Sequence, residues 1–345
     1  MKKKLIPLFF ILMSVTLIFS GCNDFKEPKE IPKTVNKELE SKAEIVLSAG
    51  EINPGEHLMG KMLEKYSEIV NKKSNGRIYI EVYAGGQLGD ERSEMQAVQM
   101  GALDIFRANT VAIGDFGANK LNLFALPYLF RDRDHLWSVL NSSIGEELLK
   151  DMEHNNLGMR GLGYLEEGSR HFFNTKKPVE NPSDLNGMKL RVSETSILMD
   201  TVSNLGASPT PISFGELFTS LQTGVVDGAE QPLPGYISNS FNEVSPYLVL
   251  DGHTYSPGML VISDITWNKL SEKDQKILKD SANELELYNR KFAEKEDKKI
   301  LDKLQKYGTK ITKPKDIKEW QKIVEPIYDK YGADYKELIE KIRSL

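Results

Sequence analysis

The sequence predicts an α/β protein with a largely parallel sheet, on two observations. Apolar runs of strand type alternate with segments of helical spacing, beginning with the run 44–48 and the segment 55–71. The second observation is a helical pattern from Ser271 to Tyr307 that contains neither proline nor glycine. At about 1.5 Å per residue, this pattern is long for a globular helix, and its apolar stripe could lie against two neighbouring domains at once.

The other predicted elements continue the alternation. The further strands are 77–83, 103–106, 188–192, 247–250 and 259–263. The further helices are 91–100, 196–205 and 213–223. Ser213 and Ser271 are each followed three residues later by an acidic residue, so we expect each to begin its helix through a capping box.

The amino terminus has the pattern of a secretory signal peptide, which we predict for residues 1–21. Three lysines follow Met1, the run 5–19 is mostly apolar, and small residues precede Cys22, the only cysteine of the chain. The position of Cys22 resembles that of the lipidated cysteine of a bacterial lipoprotein, although Phe19 stands where leucine is usual. We expect Cys22 to carry a lipid anchor. The alternative is an ordinary signal peptide with a cysteine nearby by chance.

The composition of the remaining chain predicts where it works. Residues 22–42 are polar and include Pro28 and Pro32, which predicts a flexible tether. Loss of the three signal-peptide lysines takes the formal net charge from −5 to −8 (−5 minus 3). Such an acidic chain argues against nucleic acid as a partner, because phosphate binding needs a basic surface. Anchor, tether and globular body together predict a protein held at the extracytoplasmic face of the cell membrane.

Sequence motifs for catalysis or metal binding are missing. There is no CxxC, HExxH, GxxxxGK[ST] or GxSxG motif, and the five histidines lack metal-ligand spacing. We therefore predict no cofactor and no enzymatic activity. The acidic pair Glu166-Glu167 is interpreted as part of a solvated loop, since such pairs arise often by chance among 50 acidic residues. An exported chain of this kind is expected to bind rather than react.

Three consecutive segments carry a resemblance to a known family. They are the strand KLRV at 189–192, the stretch GASPTPISFGEL at 206–217 and the stretch LQTGVVDGAEQPL at 221–233. This part resembles the solute-binding subunits of tripartite ATP-independent periplasmic (TRAP) transporters, the dicarboxylate-binding family. Ile212 stands where that family usually has methionine, and Gln231 where asparagine is common. With the further matches at 85–92, 124–130 and 168–170, the resemblance covers about residues 43–330.

The resemblance implies a two-lobed fold like that of periplasmic binding proteins, with hinge strands and a long helix spanning both lobes. The first lobe would contain residues 43–167 and 257–296, and the second lobe residues 168–256 and 297–345. A solute in the cleft would draw the lobes together. The closed complex would then deliver a carboxylate-bearing solute to the membrane subunits, which import it with an ion gradient.

The resemblance also assigns roles in the second lobe. Arg191 matches the arginine that clamps the solute carboxylate, a task that suits the planar guanidinium fork. Arg170 matches a second arginine of the site, and without the resemblance either arginine would be interpreted as a surface charge or an interlobe salt bridge. Phe214 matches an aromatic that packs on the ligand, with ordinary core packing as the alternative. Gln231 corresponds to an amide that reaches the carboxylate.

Four further residues are candidates for contacts with ligand hydroxyls. Glu194 lies three residues after Arg191, where sialic-acid binders commonly have asparagine, and a carboxylate there suits a polyol acid. Glu91 and Asn109 match first-lobe positions that meet the far end of the solute, and His57 lies near the first loop over the cleft. For Glu91, Asn109 and His57, a purely structural role is the favoured alternative.

The expected ligand is therefore an organic acid, with a hexuronate such as glucuronate or galacturonate as the first hypothesis. Sialic acid and C4-dicarboxylates are alternatives within the class. A second hypothesis is an extracytoplasmic sensor that presents its ligand to a receptor kinase. A third, a surface hydrolase, is disfavoured because the sequence shows no nucleophile–base pair.

Overall fold

The computed structural model describes residues 41–345. The predicted signal peptide 1–21, Cys22 and nearly all of the predicted tether 22–42 lie outside these residues. Within the described part, no helix is long and apolar enough to cross a membrane.

The described residues form two sheets surrounded by helices. The strands are β1 (Ile45–Glu51), β2 (Ile78–Ala84), β3 (Ile105–Asn109), β4 (Met159–Leu165), β5 (Ser169–Asn174), β6 (Lys189–Val192), β7 (Ser208–Pro211), β8 (Gly228–Pro232), β9 (Tyr247–Val249), β10 (Thr254–Tyr255), β11 (Gly258–Ser263) and β12 (Lys310–Thr312). The helices are α1 (Leu58–Lys73), α2 (Glu91–Gln99), α3 (Thr110–Asp115), α4 (Arg133–Leu140), α5 (Ser143–Leu149), α6 (Asp151–His154), α7 (Ser196–Asn204), α8 (Leu217–Gln222), α9 (Leu233–Ser238), α10 (Phe241–Val244), α11 (Asp264–Trp267), α12 (Glu272–Lys306), α13 (Ile317–Ile323), α14 (Glu325–Tyr331) and α15 (Lys336–Ser344).

Each sheet with its helices forms one lobe. The first sheet has five strands in the order β2-β1-β3-β11-β4, and the second has seven, with the order β12-β9-β5-β8-β6-β7 and β10 paired with β5. Both sheets are mixed, which corrects the expectation of a largely parallel sheet. Strand β1 is parallel to β2 and β3, whereas β11 is antiparallel to β3 and β4 because the chain returns through it from the second lobe.

Two strand connections join the lobes side by side. The chain leaves the first sheet at the end of β4 and enters the second at β5, and it returns from β10 to β11. Residues on the two connections face each other, with Thr254 opposite Arg170 and Gly258 opposite Leu165. These are the hinge strands that the resemblance implied. The predicted residue boundaries of the two lobes stay a prediction.

The long helix α12 is the third link between the lobes. It runs for 35 residues, and the hydroxyl of Ser271 accepts a hydrogen bond from the Asp274 backbone. Ser271 is thus confirmed as the N-cap, while the return bond of a capping box is replaced by one from the Ser271 hydroxyl to the Asp274 carboxylate at 2.7 Å. Its first half buries Leu278 and Leu285 in the core of the first lobe, and its last turns bury Leu304 in that of the second. The prediction of one long helix lying against two domains is confirmed.

Two expectations for the segment 213–223 are wrong, namely the cap at Ser213 and a helix that begins there. Ser213 makes no side-chain cap bond, and the segment from Phe214 to Glu216 is a 3₁₀ turn that precedes α8. Strands β5 and β8 were not predicted, because the segments SRHFFN and GAEQP are buried almost throughout and lack the alternation of half-buried strands. Both of these strands carry residues of the candidate site.

Candidate functional site

A cavity of about 690 Å³ lies between the two lobes. Seven of the eight predicted binding residues line it: Glu91, Asn109, Arg170, Arg191, Glu194, Phe214 and Gln231. They come from strands, from the segments that follow strands and, at Glu91, from the first turn of α2. The fold thus brings together residues that lie far apart in the sequence.

Arg191 is a buried cation without a carboxylate partner among the described residues. Its side chain is 3% exposed, and its Nε donates to the backbone oxygen of Ile212 at 2.8 Å. Its Nη1 is buried without any hydrogen-bond partner in the described structure. Burial, with the neighbouring charge of Arg170, lowers the pKa of Arg191 to about 10. A buried unpaired guanidinium is costly, so the site is built for an anion.

Arg170 is held in place by a buried chain of charges. Its Nε and Nη2 donate to the two carboxylate oxygens of Glu230, the latter at 2.9 Å, and its Nη1 makes no hydrogen bond to a described residue. His253 lies on the far side of Glu230, with its Nε2 at 3.6 Å from Glu230 Oε2. The Nδ1 of His253 pairs with Asp251 at 2.7 Å. Although burial opposes the charge, Asp251 raises the pKa of His253 to about 9. Arg170 can therefore offer one nitrogen to a ligand while its charge is balanced.

Phe214 and Gln231 complete the second-lobe wall. The guanidinium carbon of Arg191 lies 5.8 Å from the centre of the Phe214 ring, close enough for a cation–π interaction. Phe214 also packs edge-on against Phe241 with ring centres 6.0 Å apart, so it both lines the cavity and joins the core. Gln231 is 8% exposed and lines the cavity, and its side-chain amide forms no hydrogen bond with the described residues. That amide is free to bind a ligand.

Glu194 and the first-lobe candidates differ in the hydrogen bonds that they already make within the protein. Glu194 is exposed at the cavity edge and makes no hydrogen bond with a described residue. The carboxylate of Glu91 accepts from the Asn109 backbone at 2.8 Å. Asn109 in turn caps α3 and donates to the backbone oxygen of Ser256 at 3.3 Å. Glu91 and Asn109 line the cavity but already perform structural roles.

A buried ion cluster in the first-lobe wall was not predicted. Arg107 is 2% exposed and donates to Glu51 at 2.6 Å through Nε and to Glu167 at 2.8 Å through Nη1. Burial raises the pKa of Glu167, whereas the charge of Arg107 outweighs burial and lowers that of Glu51. An arginine directly after the predicted strand 103–106 was a visible signal of this cluster. Its partners lie 56 and 60 residues away, so spacing alone could not identify them.

The interpretation of Glu166-Glu167 as a solvated loop is wrong. Glu166 is 0% and Glu167 6% exposed. Glu166 pairs with Arg133 and accepts from the indole nitrogen of Trp137 at 2.5 Å. Both acids lie where the chain crosses between the lobes and are enclosed by elements distant in sequence. Glu167 borders the cavity, and Glu166 is not part of its lining.

His57 lies apart from the other candidates. It begins α1, where its Nδ1 accepts from the Met59 backbone at 3.0 Å, and it is 2% exposed. It lines a different cavity, of about 300 Å³, and not the one between the lobes.

The charged side chains around the large cavity differ in whether they have a partner of opposite charge. Of its three buried arginines, Arg107 and Arg170 hold carboxylates and Arg191 holds none among the described residues. Five acidic residues also line the cavity: Asp90, Glu91, Asp115, Glu167 and Glu194. The geometry therefore suits a ligand with one anionic group near Arg191 and hydrogen-bond donors elsewhere. Among residues 41–345, no group of three or more histidine or acidic side chains is arranged to hold a metal ion.

The chain belongs to a family of binding proteins. It matches the family model described as bacterial extracellular solute-binding protein, family 7, over residues 49–334. These are the solute-binding proteins of TRAP transporters, so the predicted family is confirmed. A relative from Chromohalobacter salexigens, named a solute-binding protein, is 31% identical over 83% of this chain and 84% of its own.

Two similar solved structures hold sugar acids. A TRAP periplasmic solute-binding protein from Pseudomonas putida F1, with bound D-glucuronate, has a TM-score of 0.84 and 29% identity over 87% of this chain and 97% of its own. One from Polaromonas sp. JS666, bound to D-erythronate, has a TM-score of 0.84 and 33% identity over 87% of this chain and 99% of its own. This chain shares their two-lobed fold.

Proposed function

We propose that this protein captures a sugar acid with a single carboxylate, above all a hexuronate such as glucuronate or galacturonate, for import by TRAP membrane subunits. The observation that carries the proposal is the buried guanidinium of Arg191, whose Nη1 lacks a partner among the described residues. A ligand carboxylate would accept from this nitrogen and balance the charge. The D-glucuronate in the Pseudomonas putida protein supports this ligand class.

The acidic lining supports a polyol rather than a dicarboxylate. Hydroxyl groups donate hydrogen bonds to carboxylates such as Glu194 and Glu167, whereas a second ligand carboxylate would be repelled by them. D-erythronate, the ligand of the Polaromonas protein, has the same combination of one carboxylate and several hydroxyls. The proposed role is binding and release, with no chemical step.

Titration calorimetry with D-glucuronate, D-galacturonate, D-erythronate, succinate and D-glucose tests this proposal. We expect a hexuronate to bind most tightly and D-glucose hardly at all, because glucose leaves Arg191 unpaired. A site built around hydroxyl contacts should reject succinate, since an unpaired buried polar group costs about 1–3 kcal/mol. Tighter binding of succinate than of both uronates would refute the ligand class. Tighter binding of D-erythronate would keep the class and replace the hexuronate.

We also propose that Cys22 anchors the protein in the membrane through two acyl chains, because one chain alone gives marginal attachment. The support is the position of the only cysteine at the end of the signal sequence. The variant Cys22→Ser should appear in the soluble fraction or stay unprocessed. Recovery of processed Cys22→Ser protein with the membranes would contradict the anchor.

A further inference from the structure

A second cavity, of about 300 Å³, lies where the two lobes meet the long helix. The first lobe contributes the start of α1, the second contributes residues of α9, and α12 contributes the segment from Phe292 to Lys303. Ile52 and Asn53 line the large cavity, while Glu56 and His57 line this one. The short loop between β1 and α1 therefore separates the two cavities. Cavities at the boundary between domains are common places for ligands.

The lining of this second cavity is apolar with a basic rim. Its apolar residues are Leu58, Pro234, Ile237, Phe292 and Ile300. Three lysines and two glutamates also line it. Lys299 lies 3.3 Å from Glu296, and Lys61 lies 4.0 Å from Glu56. Lys303 has no carboxylate partner among residues 41–345, so the rim carries an uncompensated positive charge.

His57 supplies a hydrogen-bond donor to the same cavity. Its Nδ1 accepts from the Met59 backbone, so that nitrogen carries no hydrogen. Burial lowers the pKa of His57 to about 3, which keeps the ring neutral and places its single N–H on Nε2. This Nε2–H has no hydrogen-bond partner among the described residues. A ring that is 2% exposed with a free donor is a feature that a bound acceptor would satisfy.

We propose that this second cavity is a binding site for a small carboxylate with an apolar body. The apolar side chains would bury the body of the ligand, and the carboxylate would accept from His57 Nε2–H and meet the charge of Lys303. No sugar acid fits this description, because its hydroxyls would face an apolar lining without partners. The proposal is therefore separate from the hexuronate site.

Titration calorimetry with octanoate, below the concentration at which it forms micelles, tests the proposal. We expect one octanoate to bind both the free protein and the protein saturated with D-glucuronate. The variant Ser238→Trp should abolish binding, because it fills the cavity from the second lobe. Ser203→Trp is the matched control, since Ser203 is exposed on α7 and lines neither cavity.

A second pair of variants keeps the test decisive if Ser238→Trp fails to fold. Lys303→Glu should weaken octanoate binding by about three- to fivefold, in line with the modest strength of partly exposed charge pairs. Lys306→Glu makes the same charge change one turn away, outside the cavity, and should have no effect. Octanoate that competes with D-glucuronate, or that binds equally well to Lys303→Glu, would overturn the proposal. Failure of D-glucuronate to bind would count against the sugar-acid proposal alone, because octanoate binding to Lys303→Glu and Lys306→Glu still tests this cavity.

Discussion

At the scale of single residues, Arg191 shows how burial makes a charged side chain selective for a ligand of opposite charge. Its guanidinium pairs with a backbone oxygen rather than a carboxylate, and Phe214 covers one face. Arg170 lies on β5 of the same sheet, separated from β6 by β8, and is neutralised by Glu230. The two arginines are therefore not equivalent, and we expect the ligand carboxylate to depend most on Arg191.

Replacing Arg191 with lysine would keep the charge and lose the planar fork. A hydrogen bond to a charged group contributes roughly 1.5–3 kcal/mol, so Arg191→Lys should weaken uronate binding about tenfold to a hundredfold. Arg191→Ala should weaken it further. Calorimetry with D-glucuronate measures both, and circular dichroism checks that the variants are folded. Unchanged affinity in Arg191→Ala would remove Arg191 from the site.

Glu94 is a second residue whose environment has a measurable consequence. It is 0% exposed, and neither carboxylate oxygen has a hydrogen-bond partner in the described structure. Burial, together with the nearby charge of Glu51, raises the pKa of Glu94 to about 8. In the unfolded chain the same group titrates near 4.5. The folded protein therefore holds this proton over a pH range in which the unfolded chain has lost it.

This difference predicts a pH-dependent stability. The contribution of the protonated Glu94 to the free energy of unfolding is fully present below about pH 4.5. It decreases by about 1.4 kcal/mol per pH unit as the pH rises towards 8. Glu94→Gln cannot ionise, so its stability relative to the wild type should improve steadily between pH 5 and pH 8 in urea unfolding. Glu319→Gln, on an exposed carboxylate, is the control. A difference that does not change with pH would show that Glu94 titrates normally.

At the scale of elements, α12 fixes the point where the chain crosses between the lobes. The side chain of Asn289 is 0% exposed and bonds both backbone groups of Glu166, accepting from its N–H at 2.6 Å and donating to its oxygen at 3.1 Å. Two residues further on, Gly168 has a φ of +93°, a conformation that favours glycine. The segment that crosses between the lobes is thus held to α12 at Glu166 by the side chain of Asn289. The residues that follow Glu166 turn sharply into β5.

We expect Asn289→Ala to be strongly destabilising. It would leave the buried N–H and carbonyl of Glu166 unpaired, and each such group costs about 1–3 kcal/mol. A loss of roughly 2–4 kcal/mol in the free energy of unfolding is expected in urea unfolding. Lys291→Ala, on the exposed side of the same helix, should change stability little. A loss as small as that of the control would mean that Asn289 does not hold the crossing.

At the scale of the whole molecule, the position of the cavity links binding to movement. Its lining combines first-lobe residues such as Glu91 with second-lobe residues such as Arg191. Only an arrangement with the lobes close together lets both sets contact one solute, so a ligand must favour that arrangement over a more open one. The two strand connections and α12 allow such a motion while the lobes stay intact.

Small-angle X-ray scattering should detect this closure. We expect a smaller radius of gyration with saturating D-glucuronate than without it, because binding shifts the population towards the closed form. D-glucose at the same concentration should leave the radius unchanged. Tight binding of the uronate without any compaction would contradict the closing motion and leave the ligand assignment intact.

The sequence alone determined the features that depend on local pattern. The periodicity of apolar residues identified α1, the segment of α12 and several strands, because helix and strand spacing is a property of neighbouring residues. The motif segments at 189–192 and 206–217 identified the family and, through it, the two-lobed fold. Arg191 and Arg170 could be named as candidates because they lie within or next to such segments.

Only the tertiary structure decided which candidates share a site and which charges are free. The partners of Arg107 lie 56 and 60 residues away, and Glu166, directly after β4, is enclosed by Arg133 and Trp137 of α4. His57 lies in a different cavity from the rest of the predicted site. Burial and pairing arise from contacts between elements distant in sequence, whereas periodicity and motifs record only what is local. The fold class could therefore be predicted from the chain, while the unpaired charge of Arg191 became visible only once the lobes were assembled.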